Sequence, residues 1–277
     1  MDLASEIRRN VTAALAEDVG GGDLTAPLTP AGKTAQAVVM CRHETVICGL
    51  AWFDASILSL DPAATVDWTV AEGTRVSAGT QVCRVSANAR PLLTAERVAL
   101  NFLQTLSGVA TVTRRYVEAI AGTRARIVDT RKTLPGLRLA QKYAVRVGGG
   151  SNHRLGLYDA MLIKENHIAA AGGIGPALSA AMKCAPPGAW IQIEVENLQQ
   201  LREAINAGAR HVLLDNMGAE QMREAVNIAG DRAELEASGG ITLDNVRAIA
   251  ETGVHRISVG ALTKDVKAAD FSMRFET

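Results

Sequence analysis

Along the first third of the chain, short runs rich in valine and threonine are broken by glycine and turn residues: AVVMC at 37–41, TVICG at 45–49, TVDWTV at 65–70 and RVSAGTQVCRVSA at 75–87. This spacing predicts an antiparallel sheet with hairpins. From Thr94 the period changes. Leu100, Leu103, Leu106 and Val109 recur behind Glu96 at helical spacing, which predicts a long amphipathic helix. The opening MDLASEIRRNVTAALAED reads as another. Farther along, apolar runs at 127–128, 160–163, 190–195, 211–214, 233–237 and 256–259 alternate with helix-like segments, the signature of βα units in a parallel sheet or barrel.

What stands at the carboxyl end of each of these runs points to chemistry. In order come Asp129-Thr130-Arg131-Lys132, Lys164, Glu194, Asp215-Asn216, Ser238-Gly239-Gly240 and Gly260-Ala261. In a βα barrel those ends share one face, and that face carries the active site. One charged residue would mean only that strands end at the surface, but a graded set closing in two glycine loops predicts a shared site. The loops after the last two strands, SGG at 238–240 and VGAL at 259–262, occupy the place where many barrels bind phosphate through backbone N–H groups. That assigns Ser238, Gly239, Gly240, Val259, Gly260 and Ala261 to a phosphate.

Composition narrows the partners. At 277 residues, with 48% hydrophobic and 21% charged residues, the chain has a soluble globular composition and room for one large or two ordinary domains. Its formal net charge of zero argues against nucleic acid or a membrane surface as partner. No apolar run reaches membrane-spanning length, and the N-terminus lacks a secretory signature. Cys41, Cys48, Cys83 and Cys184 form no C-x-x-C pair and no metal spacing with histidine, so reduced thiols and a cytoplasmic location are expected.

Against that neutral background, residues 131–154 hold Arg131, Lys132, Arg138, Lys142, Arg146, His153 and Arg154 and no acidic residue. The segment runs into GGGSNHRLG at 148–156, whose glycines read as backbone able to bring its N–H groups close to an anion. Cations converging on one pocket repel one another unless a polyanion occupies it. Arg138, Lys142 and Arg146, four residues apart, read instead as one solvated helix face. Glu194 and Asp215 oppose the cations. They suit Mg²⁺ held through a phosphorylated substrate, stabilisation of an oxocarbenium-like charge, or ion pairs with Lys164 or Arg131. Glu196 shares a strand face with Glu194, but Glu194 after WIQI parallels Asp215 after HVLL. His43, His211 and His255 read as packing or surface residues, and His167 as support for the loop after Lys164.

The block DTRKTLPGLRLAQKYAVRVGGGSNHRLGLYDAMLIKENHI at 129–168, with IEVEN, LLDNM, EASGGI and ISVGALT, resembles quinolinate phosphoribosyltransferase. The likeness extends upstream through TAERVALNFLQTLSGVAT at 94–111 and EDVGGGDLT at 17–25, and so covers essentially the whole chain. The resemblance implies a type II phosphoribosyltransferase fold of the α/β class. A mixed α/β sandwich domain would span 1–110 and an incomplete α/β barrel 111–277, with the tail after about 266 packing back on the first domain. It implies a homodimer with sites at the subunit interface, and a reaction of quinolinate with 5-phosphoribosyl-1-pyrophosphate and Mg²⁺ that yields nicotinate mononucleotide, pyrophosphate and CO₂. Arg97 would reach the quinolinate carboxylates from the neighbouring subunit. Thr130, Arg131, Lys132, His153, Arg154 and Lys164 would line the basic pocket, Lys132 and Lys164 with catalytic roles. Glu194 and Asp215 would serve the ribose and metal. The runner-up within enzymes is a related phosphoribosyltransferase acting on nicotinate or another ring. A biotinyl or lipoyl carrier, suggested by TVAEGTRVSAGTQVCRV, would need a lysine at a tight turn, and none occurs between Lys33 and Lys132.

Overall fold

The first helix, α1 (Leu3–Val19), starts where the Asp2 carboxylate accepts the Ser5 N–H and stops at Gly20, whose φ of 51° suits glycine. Two of its buried residues are polar, and both are partnered: Glu6 pairs with Arg9 at 2.7 Å, and the Asn10 carbonyl accepts the Trp52 indole N–H at 3.0 Å. After it come β1 (Thr34–Cys41), β2 (Thr45–Val46), α2 (Leu50–Leu58), β3 (Thr65–Trp68), β4 (Arg75–Val76), β5 (Gln81–Asn88) and α3 (Ala89–Ala119). The chain continues through β6 (Arg126–Val128), α4 (Arg138–Val147), β7 (Ala160–Ile163), α5 (Glu165–Ala171), α6 (Ile174–Cys184), β8 (Trp190–Val195) and α7 (Leu198–Asn206). Then follow β9 (His211–Asp215), α8 (Ala219–Ala229), β10 (Glu234–Ser238), α9 (Val246–Ala250), β11 (Arg256–Ser258), α10 (Ala261–Lys264) and β12 (Phe271–Phe275).

This computed structural model describes residues 2–276, in two compact units. One takes the chain up to Arg114, Thr133–Gly149 and everything from Thr263 on; the other takes Arg115–Lys132 and Gly150–Leu262. Where the sequence suggested one boundary at residue 110, the chain enters the first unit three times. No helix among the described residues is long and apolar enough to cross a membrane.

In the first unit an antiparallel sheet runs in the order β12-β1-β5-β3, beside a two-stranded pair β2-β4. The expected hairpins are absent from it, because no two neighbours in the larger sheet follow one another directly in sequence. Alternation specifies which face of a strand is buried and not which strand lies beside it. Val39, Val85, Phe53, Leu100 and Leu103 belong to the buried cluster of this unit. On α4, Lys142 is completely buried, which corrects the reading of Arg138, Lys142 and Arg146 as one solvated face. Arg138 is half-buried, donating from Nε to the Thr133 hydroxyl, and Arg146 is exposed.

The second unit is a six-stranded parallel sheet in the order β6-β11-β10-β9-β8-β7. Its first strand joins its last, so the sheet curls toward closure, while β6 and β7 do not pair with each other: an incomplete barrel with one seam. Residues following the GGG run enter that seam. Ser151 makes a parallel bridge to Val128, its N–H donating to Ile127 O at 2.9 Å and its carbonyl accepting the Asp129 N–H at 3.1 Å. Alternation along the strands is strict. Ile193, Val195, Val212, Leu214, Leu235, Ala237 and Ile257 are buried on one face, while Gln192, Glu194, Asp215, Glu236, Ser238 and Ser258 occupy the other.

Candidate active site

The polar face of the second unit opens, at the carboxyl ends of its strands, on a cavity of about 540 Å³. β6 leads into Thr130, Arg131 and Lys132, where the Thr130 hydroxyl accepts the Lys132 N–H at 3.0 Å. The seam supplies His153 and Arg154, and β7 supplies Leu162 and, just past its end, Lys164. β8 contributes Glu194; β9 contributes Leu213 and Asp215, followed by Asn216; β10 contributes Glu236 and Ser238, followed by Gly239 and Gly240; β11 contributes Ser258. Twelve residues singled out from sequence thus line one cavity: Thr130, Arg131, Lys132, His153, Arg154, Lys164, Glu194, Asp215, Asn216, Ser238, Gly239 and Gly240. A second depression of about 460 Å³ adjoins it, sharing Arg131, Arg154, Leu162 and Lys164 and otherwise lined largely by apolar residues such as Leu157, Met161 and Ala177.

Val259, Gly260 and Ala261 do not line the cavity. The Val259 N–H is taken by Val128 O at 3.0 Å, and the residue is buried in the sheet. Arg97 lies in the first unit on an exposed position of α3 and is not among the lining residues. Glu196 is exposed and outside the lining.

The glycine run has a different task from the one its composition suggested. Gly148 N–H donates to Ala144 O and Gly149 N–H to Arg146 O, both at 2.9 Å, so these groups finish α4 rather than cradle an anion. A Cβ on Gly148 would stand 2.6 Å from Ala110 O, and Gly149 has φ of 92°. The polar half of the loop is held by Asp129, which is fully buried: one carboxylate oxygen accepts the His153 N–H at 2.8 Å and the other the Asn152 side-chain amide at 2.6 Å. Arg154 is then tied to β7 by a bond from its guanidinium to Ala160 O at 3.3 Å.

Burial, and after it the neighbouring Arg131 guanidinium, lower the Arg154 pKa, with Asp159 opposing. Two guanidiniums forced together and partly desolvated favour an anionic guest. Lys164 Nζ lies 3.0 Å from Glu194 Oε2, and the Lys164 backbone N–H donates to His167 Nδ1 at 3.0 Å, the loop-supporting place expected of His167. Asp215 accepts from the Asn216 amide at 2.8 Å. Among the described residues no group of three or more His, Cys, Asp or Glu side chains is placed to hold a metal. Two carboxylates suit a hard divalent cation that takes its remaining ligands from water and phosphate.

At the end of β10, Gly239 (φ 97°) and Gly240 (φ 60°) form the turn. A side chain on Gly239 would collide with Asn216 Oδ1, and Asn216 itself has φ of 53° with its N–H donating to Ser238 O at 2.9 Å. Gly239 and Gly240 N–H groups donate to no backbone acceptor among the described residues.

Sequence reasoning passed over Asp129 as an anchor and over Leu162, Leu213, Glu236 and Ser258 in the lining. Glu236 had a legible signal: it stands two residues before Ser238 and therefore on the same strand face.

Comparison with known proteins places these features in company. The family model described as quinolinate phosphoribosyl transferase, C-terminal domain, matches residues 109–274, and the one for the N-terminal domain matches residues 23–107. Nicotinate-nucleotide pyrophosphorylase [carboxylating] of Mycobacterium leprae is 44% identical over 276 residues, covering 96% of each chain. The probable enzyme of the same name from Bacillus subtilis is 41% identical over 257 residues, covering 93% of this chain and 89% of that one. The solved nicotinate-nucleotide pyrophosphorylase of Francisella tularensis superposes with a TM-score of 0.95 at 45% identity, covering 98% of this chain and 96% of its own.

Proposed function

The chain belongs to the quinolinate phosphoribosyltransferase family, and from that premise we propose how its cavity makes nicotinate mononucleotide from quinolinate and 5-phosphoribosyl-1-pyrophosphate. The observation that carries the reading is the convergence of Arg131, Lys132, Arg154 and Lys164 with the Ser238–Gly240 turn on one cavity. A planar dicarboxylate lies with its ring along Leu162 and its carboxylates toward Arg131, Arg154 and Lys164, where the cavity meets the apolar depression. The 5-phosphate takes the N–H groups of Gly239 and Gly240. Val259, buried just past the end of β11, gives its N–H to Val128 O and so does not offer it to the phosphate.

In the reaction the ring nitrogen bonds to the anomeric carbon as pyrophosphate leaves with the electrons of the C–O bond. Positive charge grows on the ribose, and Glu194 and Asp215 stabilise it. Loss of CO₂ from the carbon beside the ring nitrogen leaves an electron pair that the pyridinium stabilises, and a proton fills the position. Lys132 and Lys164 offset the charge of the departing pyrophosphate and the carboxylates. Mg²⁺, held by Glu194 and Asp215 together with substrate oxygens, would supply charge neutralisation of the pyrophosphate.

Arg97 belongs, in this reading, to the cavity of a second copy, which makes the working unit a homodimer with sites at the subunit interface. Its four free cysteines accord with the reducing cytoplasm as its location. The test offers quinolinate and nicotinate in parallel, with Mg²⁺ and 5-phosphoribosyl-1-pyrophosphate, and reads product by mass spectrometry. Product from quinolinate alone supports the dicarboxylate pocket; product from nicotinate alone overturns it. Mixing inactive Arg97→Ala and Lys132→Ala proteins should restore activity if each site draws Arg97 from its partner. No recovery on mixing would refute the shared site.

A further inference from the structure

At the floor of the cavity, β8, β10 and β11 carry a buried polar chain that the reaction above does not use. Glu236, 1% exposed, accepts from the Gln192 side-chain amide at 3.1 Å through Oε2, and the same oxygen lies 3.2 Å from Arg256 Nε. Its other oxygen, Oε1, is buried without a hydrogen-bond partner, 3.6 Å from His153 Nε2. That same Nε2 is 2.9 Å from Gln192 Oε1. On the far side of the imidazole, Nδ1 accepts the Arg154 N–H at 2.8 Å. Trp190 flanks the group, its ring 5.0 Å from that of His153 and under the Arg256 guanidinium at 5.2 Å.

Burial raises the Glu236 pKa and the neighbouring Arg256 opposes that shift; with Glu236 as the carboxylate partner of Arg256, the donors and acceptors named here fit together in one way. A carboxylate only accepts, so Gln192 must turn its NH₂ toward Glu236 and its carbonyl oxygen toward His153. His153 must then carry its proton on Nε2, which leaves Nδ1 bare to receive the Arg154 N–H. We infer that Glu236 is a positioning residue: by orienting Gln192 it sets His153 in the Nε2–H tautomer, and so holds the Arg154 backbone and aims its guanidinium into the anion cavity. Arg256, paired with Glu236, keeps the carboxylate in place. Neutral His153 accordingly serves the pocket through hydrogen bonding and shape, and the charge comes from the guanidinium beside it. The part played by Arg154 rests on the function proposed above; the tautomer does not.

The experiment reads the tautomer directly. Protein labelled with ¹⁵N-histidine gives long-range ¹H–¹⁵N correlations that distinguish a protonated from a bare ring nitrogen, and His153→Asn identifies the His153 signals by their loss. Wild type should show Nε2 protonated and Nδ1 bare. Glu236→Gln keeps the size of the side chain and removes the acceptor-only end, so His153 should become a mixture of tautomers. With it, KM for quinolinate should rise about tenfold, as when a group that orients a ligand-binding residue is removed, with a smaller change in kcat. Should Glu236→Gln fail to fold, Gln192→Met breaks the same relay while leaving the Glu236–Arg256 pair, and the same mixing is expected. An unchanged His153 tautomer in a folded variant overturns the inference whatever the kinetics do. Tautomer mixing in a protein that ignores quinolinate would uphold the relay and sink the proposed substrate instead.

Discussion

Replacing Asp129 with asparagine should both loosen the seam of the barrel and cripple the site. Asp129 is fully buried, with one oxygen accepting the His153 N–H at 2.8 Å and the other the Asn152 amide at 2.6 Å. Asparagine offers one carbonyl oxygen and one NH₂, so whichever way it turns, a donor meets a donor. The cost is one charge-assisted hydrogen bond and a stranded buried N–H, together about 3 kcal/mol. For a chain of this size that lowers the melting temperature by about 6–12 °C. Because the same bonds set the course of residues 152–154, a shift on the order of 1 Å at Arg154 should lower kcat/KM by about a hundredfold. Differential scanning calorimetry and steady-state kinetics on the same preparation measure both. A variant with unaltered melting temperature and kcat/KM would show that the buried carboxylate does not hold the loop, and the role of Asp129 as the anchor of the GGGSNHR segment would be refuted.

Gly239→Ala would place a methyl group against Asn216 at a φ of 97°, and should weaken binding of 5-phosphoribosyl-1-pyrophosphate by roughly tenfold; calorimetric titration giving wild-type affinity would remove the turn from the phosphate site. Gly148→Ala would drive a Cβ to 2.6 Å from Ala110 O and should destabilise the first unit by about 1–3 kcal/mol, read as a lower urea midpoint. The Asp23 carboxyl is held at about 2, below its ordinary 3.8, first by the Thr25 hydroxyl and then by the Thr94 hydroxyl. A depressed folded-state pKa stabilises at pH above the unfolded value and is lost as pH falls through the folded one, so the stability difference between wild type and Asp23→Asn should shrink between about pH 4 and pH 2. An equal difference at pH 5 and pH 2 in denaturant titrations would contradict that hydrogen bonding.

Period-two and helical spacing, with the residue types at strand ends, were enough by themselves to locate β7 and β8 at their observed bounds and to gather Arg131, Lys132, Lys164, Glu194, Asp215 and Ser238–Gly240 around one cavity. These are local properties: periodicity states which face a residue takes, and the carboxyl end of a strand states at which end of the barrel it lies. What the tertiary structure alone decided was which groups meet. β1 pairs with β5 and β12 rather than with β2, Lys142 is buried instead of solvated, and the GGG run finishes a helix while its polar continuation fills the seam beside β6. The chain from Asp129 to His153, and from His153 through Gln192 to Glu236 and Arg256, joins residues up to a hundred and more positions apart. Such partnerships depend on how strands stack across the sheet and on which buried donor can reach which acceptor, and no pattern within a single segment carries that information.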